Sequence, residues 1–387
     1  MASNHLGVAA VSPVNGTADN TVNQLTSIWQ KLLGIDSIGS DQNYFDLGGD
    51  SVMAVHLFSQ IDEVFHVKLP LATLFEAPTI NELATILRAE APSGGWSPLV
   101  AIQPNGSRPP FYCIHGAGGN VLIYRELSQN LGLDQPFYGL QAQGLDGNCP
   151  PLSSVEEMAA LYAKTIRRQQ KHGPYLVGGY CGGGLIAYEV ARQLRSQGEE
   201  VALLSMFDTM NFSLIRPFTF WSKSYYTCQR LIFHGANFMR LDLQGKTSFF
   251  RGKMASLRSR LPVWWGSVLS KFQRDSQSSS SEFRVLGEIW KLNDIACQRY
   301  VPQPFDGVVT DFRPLRQYRV FNQPNAKWGQ LAKGGQHEVV LPVYPAGMLT
   351  EPFVKHLAAA LRTAIDDAIS PRDGRASLYE LRGQAAK

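Results

Sequence analysis

Five residues, Gly179-Tyr180-Cys181-Gly182-Gly183, combine a nucleophile with the small neighbours that a sharp turn needs. The apolar run before them, residues 174–177, is short enough for a buried strand. The stretch after them, residues 185–194, repeats apolar residues at helical spacing. Strand, tight glycine turn and helix together lift one side chain clear of a sheet edge. Gly179 and Gly183 let the strand and helix backbones approach. The helix N-terminus offers free N–H groups and partial positive charge. Both favour thiolate over thiol and an oxyanion over a neutral carbonyl, so the sequence predicts a Cys181 acidified by its helix. A glycine-rich turn around an inert buried cysteine is the alternative reading.

A second reactive position is Ser51. It follows Gly48-Gly49-Asp50 and precedes a helical pattern that runs to about Phe65. An exposed hydroxyl after two flexible glycines, at a helix N-terminus, suits phosphate attachment. The plainer role is that of an N-cap. Asp208 closes the apolar strand 201–207, and His115 opens the glycine-rich loop 115–120 after the strand 110–114.

The elements that must position these residues fall into two patterns. Residues 21–90 read as a small helical unit, with apolar residues at helical spacing over 22–33, a helix from Ser51 and a last helix over about 79–89 that Pro78 opens. From Leu99 strands alternate with helices, the α/β signature. Strands are expected at 110–114, 137–141, 174–177, 201–207, 307–312 and 338–343, and helices at 154–169 and about 352–370.

Composition bounds the rest. The 387 residues suffice for two or three domains, and 44% apolar with 18% charged is ordinary for globular protein. Five cysteines without paired spacing point to a reducing compartment, so the expected location is cytoplasmic. No signal-peptide core opens the chain, no window reaches membrane-spanning length, and no metal-type C-x-x-C occurs. The net charge of +4 is uneven, with eleven Lys/Arg against two acidic residues between 211 and 275. That segment is also aromatic: Phe218, Phe220, Trp221, Tyr225, Tyr226, Trp264 and Trp265. Nucleic-acid binding is one reading of basic plus aromatic residues; a solvated helical face with ordinary positive charge is the plainer one.

Two resemblances follow. The run Asn43-Tyr44-Phe45-Asp46-Leu47-Gly48-Gly49-Asp50-Ser51, with Leu74-Phe75-Glu76-Ala77-Pro78 downstream, resembles the peptidyl carrier proteins of nonribosomal peptide synthetases. In that family the matching serine carries 4′-phosphopantetheine, placed there by a phosphopantetheinyl transferase. Residues 98–370 resemble the type I thioesterases of the same assembly lines, which are α/β-hydrolases. The features that carry the likeness are the loop His115-Gly116-Ala117-Gly118-Gly119, the stretch Gln141–Gly147, the elbow at Cys181, Asp208 and Trp328-Gly329-Gln330-Leu331. The implied organisation is linker 1–20, four-helix carrier 21–90, linker 91–98, thioesterase 99–370 with a lid at 210–285, and tail 371–387. So short a linker keeps the carrier at an effective concentration on the order of millimolar.

The resemblance implies roles. Cys181 is the nucleophile, Asp208 the triad acid, and the N–H groups of Gly182 and Ala117 the oxyanion hole; His115 is structural. The triad histidine would fall on Pro345, so the usual base is missing. His337 precedes its strand and is expected at the opposite end of the sheet; His234 could reach the site from the lid. A thiol that is part thiolate unaided, and that exchanges one thioester for another, needs no base to take up an acyl group. Hydrolysis of the product does need one. Aminolysis, cyclisation or acyl transfer in nonribosomal peptide or hybrid polyketide synthesis is therefore expected over simple hydrolysis. The expected partners are an acyl or peptidyl thioester, upstream synthetase modules and an amine acceptor, without nucleic acid or membrane. Two rival readings are an aminoacyl shuttle between carriers and a degenerate hydrolase kept for carrier docking.

Overall fold

The computed structural model describes residues 16–89, 96–147, 149–211, 239, 281–315, 328–343 and 347–370. Most of the basic aromatic stretch, with His234, Pro345 and the two terminal segments, lies outside them.

Four helices form the first unit: α1 (Gly16–Leu33), α2 (Ser51–Phe65), α3 (Thr73–Glu76) and α4 (Ile80–Arg88). Their apolar faces meet around Leu25, Trp29, Tyr44, Leu57, Phe58, Ile61 and Leu83, all buried. Helix α1 begins inside the segment read as a linker, since nothing in Thr17-Ala18-Asp19-Asn20 breaks it. The start of α4 is set by Thr79. Its hydroxyl accepts from the Glu82 N–H and the Glu82 carboxylate accepts from the Thr79 N–H, so a capping box stands where Pro78 was expected to open the helix.

The second unit is a seven-stranded sheet. Its strands are β1 (Leu99–Gln103), β2 (Phe111–Ile114), β3 (Phe137–Leu140), β4 (Tyr175–Tyr180), β5 (Val201–Phe207), β6 (Val309–Pro314) and β7 (Gln336–Leu341). The order is β1-β3-β2-β4-β5-β6-β7, parallel except for β1 against β3. Strands β2, β3 and β6 are buried along their whole length, as a parallel sheet covered on both faces requires. The helices are α5 (Arg125–Leu131), α6 (Val155–Gln169), α7 (Gly182–Ser196), α8 (Ser281–Arg299), α9 (Trp328–Leu331) and α10 (Val354–Ile369). Helices α5 and α10 cover one face, built on Leu127, Leu131, Leu357 and Leu361. Helices α6, α7 and α8 cover the other, built on Tyr162, Tyr188, Leu194 and Tyr300.

The strand order reverses between β2 and β4. The chain leaves β2 for β3 in one direction and β4 for β5 in the other, which opens a crevice beyond the carboxyl ends of β2 and β4. The loop 115–120 and Cys181 flank that crevice, because Ile114 pairs with Gly179. Helix α8 runs on beyond the segment assigned to a lid and touches both the β2 loop and the elbow.

Candidate active site

Cys181 occupies the turn between β4 and α7 with φ 54° and ψ −118°, a backbone state costly for a side chain. Close packing imposes it. A Cβ on Gly179 would lie 2.3 Å from the Gly183 carbonyl oxygen, and one on Gly183 would lie 2.4 Å from the oxygens of Ile114 and His115. The Cys181 N–H donates to the Phe207 carbonyl at 2.9 Å, and the Gly184 N–H to the Cys181 carbonyl at 3.1 Å. The thiol ends half-buried at the mouth of the crevice. Tyr124, which carries no motif of its own in the sequence, ties the two strands beneath it. Its hydroxyl donates to the Ile114 carbonyl and accepts from the Tyr180 N–H.

Asp208 stands at the neighbouring position, where Tyr180 and Phe207 are register partners. It too has positive φ, 45°, and its N–H donates to the Phe312 carbonyl at 2.9 Å. Asp208 is buried, and burial with the nearby Asp311 raises its pKa to about 7 against the pull of Arg313. Asp311 is itself lifted by burial, to about 6; Arg313 Nε donates to its Oδ2 at 2.6 Å and Gln336 Nε2 to the same oxygen at 2.9 Å. Arg313 also pairs with Glu338 at 3.3 Å.

The expected acidified thiol is corrected by this geometry. Burial raises Cys181 to about 11, and the charges of Asp208 and Asp294 add to it; the Gly182 N–H directed at the sulfur opposes them and does not win. A half-turn of helix dipole, of the order of 0.3–1 kcal/mol at an exposed end, is smaller than the combined cost of burying the thiolate and of the like charges of Asp208 and Asp294.

Gly182 directs its N–H at the thiol, and Ala117 lies in the loop after β2 that flanks the same crevice. Gly182 opens α7, and Ala117 sits in the β2 loop with its carbonyl accepting from Asn293 Nδ2 at 3.0 Å. Helix α8 also places Cys297 against the elbow. Its Sγ lies 3.8 Å from the Gly182 carbonyl oxygen, and a Cβ on Gly182 would come within 3.0 Å of it. The signal for these residues was Asn293 and Cys297 one turn apart, on the face that carries buried Ile289, Ala296 and Tyr300. Tyr300 Oη anchors that end of α8 to buried Glu189 of α7 at 2.8 Å.

The histidines separate cleanly. His115 is buried with both ring nitrogens engaged, Nδ1 on the Gly116 carbonyl and Nε2 on the Tyr162 hydroxyl, each at 2.7 Å. Burial lowers its pKa to about 4, so it is neutral and structural at pH 7. His337 is the second residue of β7, two residues before Val339, which pairs with Phe312. It lies toward the far end of the sheet, where it feels Asp367 of α10. His234 and Pro345 lie outside the described residues, as do the aromatic lid side chains.

Ser51 is the first residue of α2, half-buried. It is not the cap: Asp50 Oδ1 accepts the Met53 N–H at 2.8 Å, and the Asp50 carbonyl accepts the Ala54 N–H at 2.9 Å. The Tyr44 hydroxyl donates to that same carbonyl at 3.1 Å, and a Cβ on Gly49 would collide with the Tyr44 ring at 2.4 Å. The loop is thus locked while the serine hydroxyl is left uncommitted to capping. These residues fit a phosphodiester at a helix N-terminus.

All four cysteines among the described residues are free thiols, and no cluster of three metal-ligating side chains occurs among those residues. No helix there is long and apolar enough to cross a membrane.

A helical unit with a presented serine, joined to a mostly parallel sheet with a thiol elbow and an adjacent acid, defines a carrier coupled to an α/β-hydrolase domain. Residues 109–216 match the thioesterase domain family, and residues 23–87 the phosphopantetheine attachment site family. Malpinin synthetase of Mortierella alpina is 46% identical over 189 residues, 48% of this chain and 2% of that protein. A dimodular nonribosomal peptide synthase of Bacillus subtilis is 40% identical over 184 residues, 48% of this chain and 8% of its own. A four-domain nonribosomal peptide synthetase, solved with AMP and glycine, aligns over 93% of this chain and 27% of its own, with a TM-score of 0.51 at 23% identity. The chain is a carrier–thioesterase didomain similar to the matching parts of nonribosomal peptide synthetases, and 4′-phosphopantetheine is the covalent cofactor of its carrier. It spans 2–8% of the length of these two curated relatives.

Proposed function

We propose that this didomain releases or transfers an acyl or peptidyl chain in nonribosomal peptide or hybrid polyketide synthesis, through an acyl-Cys181 intermediate. Bound at Ser51, the pantetheine arm supplies the chain as a thioester. The observation that carries the reading is the pairing of Cys181 with Asp208 at adjacent strand ends. A thiol near pKa 11 beside a carboxyl near 7 is protonated at neutral pH and has a proton acceptor next to it.

Asp208 takes the Cys181 proton as the sulfur–carbon bond forms. The N–H groups of Gly182 and Ala117 hold the carbonyl oxygen as it gains charge. The carbon–sulfur bond to the arm breaks, and the proton passes to the departing sulfur. In the second half an amine attacks the acyl carbon, Asp208 accepts its proton, and Cys181 leaves and recovers a proton. One thioester replaces another in the first half, so little energy is lost. An amine is a stronger nucleophile than water and asks less of a carboxylate acceptor unaided by histidine; among the described residues His115 is locked in the β2 loop and His337 lies toward the far end of the sheet. This supports aminolysis, cyclisation or transfer over free-acid release.

Intact-protein mass spectrometry of the acyl-loaded chain tests the proposal. The acyl mass moves from the Ser51 peptide to the Cys181 peptide and leaves when an amine is added. Absence of acyl-Cys181 in the wild type, or free acid as the main product without added amine, overturns it.

A further inference from the structure

The carrier is seated on the thioesterase domain around the start of α5, with further contacts at α8 and Gly147. Leu122, in the turn just before α5, is 5% exposed and packs into the carrier's own core rather than into the sheet domain. Phe75 of α3 makes the reciprocal move, packing against the face built on α5 and α10. Between them stands Arg125, the first residue of α5. Its guanidinium carbon lies 4.3 Å from the centre of the Phe45 ring, and the same ring stacks with Phe75, their centres 6.2 Å apart. Arg125 Nη2 also lies 3.3 Å from Asp46 Oδ1, while Nη1 is held by Glu126 at 2.9 Å. Asp46 is 74% exposed and its ion pair is screened; the Arg125 side chain is 13% exposed, so the stacked face supplies most of the grip.

Phe45 and Asp46 belong to the loop that Tyr44, Gly49 and Asp50 lock ahead of Ser51. A grip on this loop therefore fixes the start of α2. Helix α2 in turn abuts α8, which brings Asn293 and Cys297 to the elbow. The Lys68 ammonium adds a contact close to Gly147, where an added Cβ would meet it at 2.9 Å.

We propose that Arg125 is the residue by which the thioesterase domain recognises its carrier, gripping an aromatic ring followed by an acid, Phe45-Asp46, and so presenting the Ser51 end of α2 at the α8 side of the crevice. The partner it fits is a carrier with that aromatic–acid pair. Arg125 touches neither Cys181 nor Asp208 among the described contacts, so it is a positioning residue. The delivery part of the inference rests on the proposed Ser51-to-Cys181 transfer; the recognition part does not.

The test uses the full chain with Arg125→Ala and Arg125→Lys, the second keeping charge and losing the planar stack. Hydrogen exchange of the apo chain is followed over residues 43–48 and 121–125. Transfer to Cys181 is followed from the loaded carrier and, separately, from the same acyl group on N-acetylcysteamine. Arg125→Ala is expected to raise exchange in both segments at least tenfold and to slow carrier-loaded transfer at least tenfold. Turnover of the small thioester stays within twofold, and Arg125→Lys recovers only part of the loss. Unchanged exchange, or equal slowing of both substrates, overturns the assignment. Raised exchange in a chain whose wild type never acylates Cys181 upholds Arg125 as the carrier grip and defeats the transfer reading instead.

Discussion

Cys181 and Asp208 end neighbouring parallel strands in register, and both hold left-handed backbone, φ 54° and 45°, with their N–H groups bound to the carbonyl one strand over. The pairing sets the charge of each. With Asp208 ionised, the thiolate is disfavoured; this is the largest contribution after burial. Asp208→Asn removes that charge without changing side-chain size. Iodoacetamide labelling of Cys181 at pH 8.5 is therefore expected to speed up severalfold, since each unit of pKa is about tenfold in thiolate. Acyl transfer by the same variant is expected to fall by about 10²–10⁴, the usual worth of a positioned proton acceptor. Slower labelling would contradict the electrostatic account, and undiminished transfer would contradict the assignment of Asp208 as base.

The same carboxyl makes a stability prediction. Its folded pKa, about 7, lies above the ordinary carboxylate value, so the fold prefers the protonated form. Below pH 4 both folded and unfolded chains are protonated and Asp208 costs nothing. Between pH 4 and 7 its ionisation in the unfolded chain draws the equilibrium away from the fold, and above pH 7 the cost is complete. Asp208→Asn should then be near neutral at pH 4 and stabilising by up to about 4 kcal/mol at pH 8. Thermal denaturation of both chains across that range checks it. His115 has the opposite sign, because its depressed pKa penalises the fold below about pH 6.5; the difference between variant and parent isolates Asp208.

Legibility in the sequence followed local chemistry. The elbow could be read because Gly179 and Gly183 are demanded by contacts within a few residues of Cys181. Strand β5 and its end at Asp208 could be read because seven apolar-rich residues stop at a polar one. The thiol's protonation state could not, since it depends on Asp294 of α8, more than a hundred residues away, and on Asp208 brought alongside by strand pairing. Nor could the Arg125–Phe45 stack, which joins residues from two separately folded cores. The capping box at Thr79 is local, but Pro78 beside it gives the more conspicuous helix-start signal.

Ser51 and Asp50 divide two tasks that one residue could have combined. Ser51→Ala is expected to leave stability within about 0.5 kcal/mol, as at a partly exposed site without a capping bond. It abolishes the mass gain on treatment with coenzyme A and a phosphopantetheinyl transferase. Asp50→Ala removes the bond to the Met53 N–H and should cost about 1 kcal/mol while leaving the hydroxyl in place. Denaturant unfolding and intact mass measured on both variants separate the roles. A Ser51→Ala chain as destabilised as Asp50→Ala would make Ser51 the cap after all.

Gly184 is where helix α7 meets the acid strand. A Cβ there would lie 1.8 Å from Thr209 Oγ1 and within 2.9 Å of Thr209 Cβ and Cγ2, so no rotation of that buried side chain relieves the contact. The backbone after β5 has to move, and Asp208 is the residue it would carry. Gly184→Ala is expected to destabilise the fold by about 1–3 kcal/mol, the usual cost of overpacking. It should also lower transfer from Cys181 more than tenfold, because a displacement near 1 Å at a positioned group is enough. Thr209→Gly removes all three colliding atoms. In the double variant the collision is gone, and transfer should recover toward that of Thr209→Gly alone even though the new glycine costs stability of its own. Calorimetry and loaded-chain transfer rates on the four chains of this cycle give the coupling directly; additive losses would show that Thr209 is not what Gly184 accommodates.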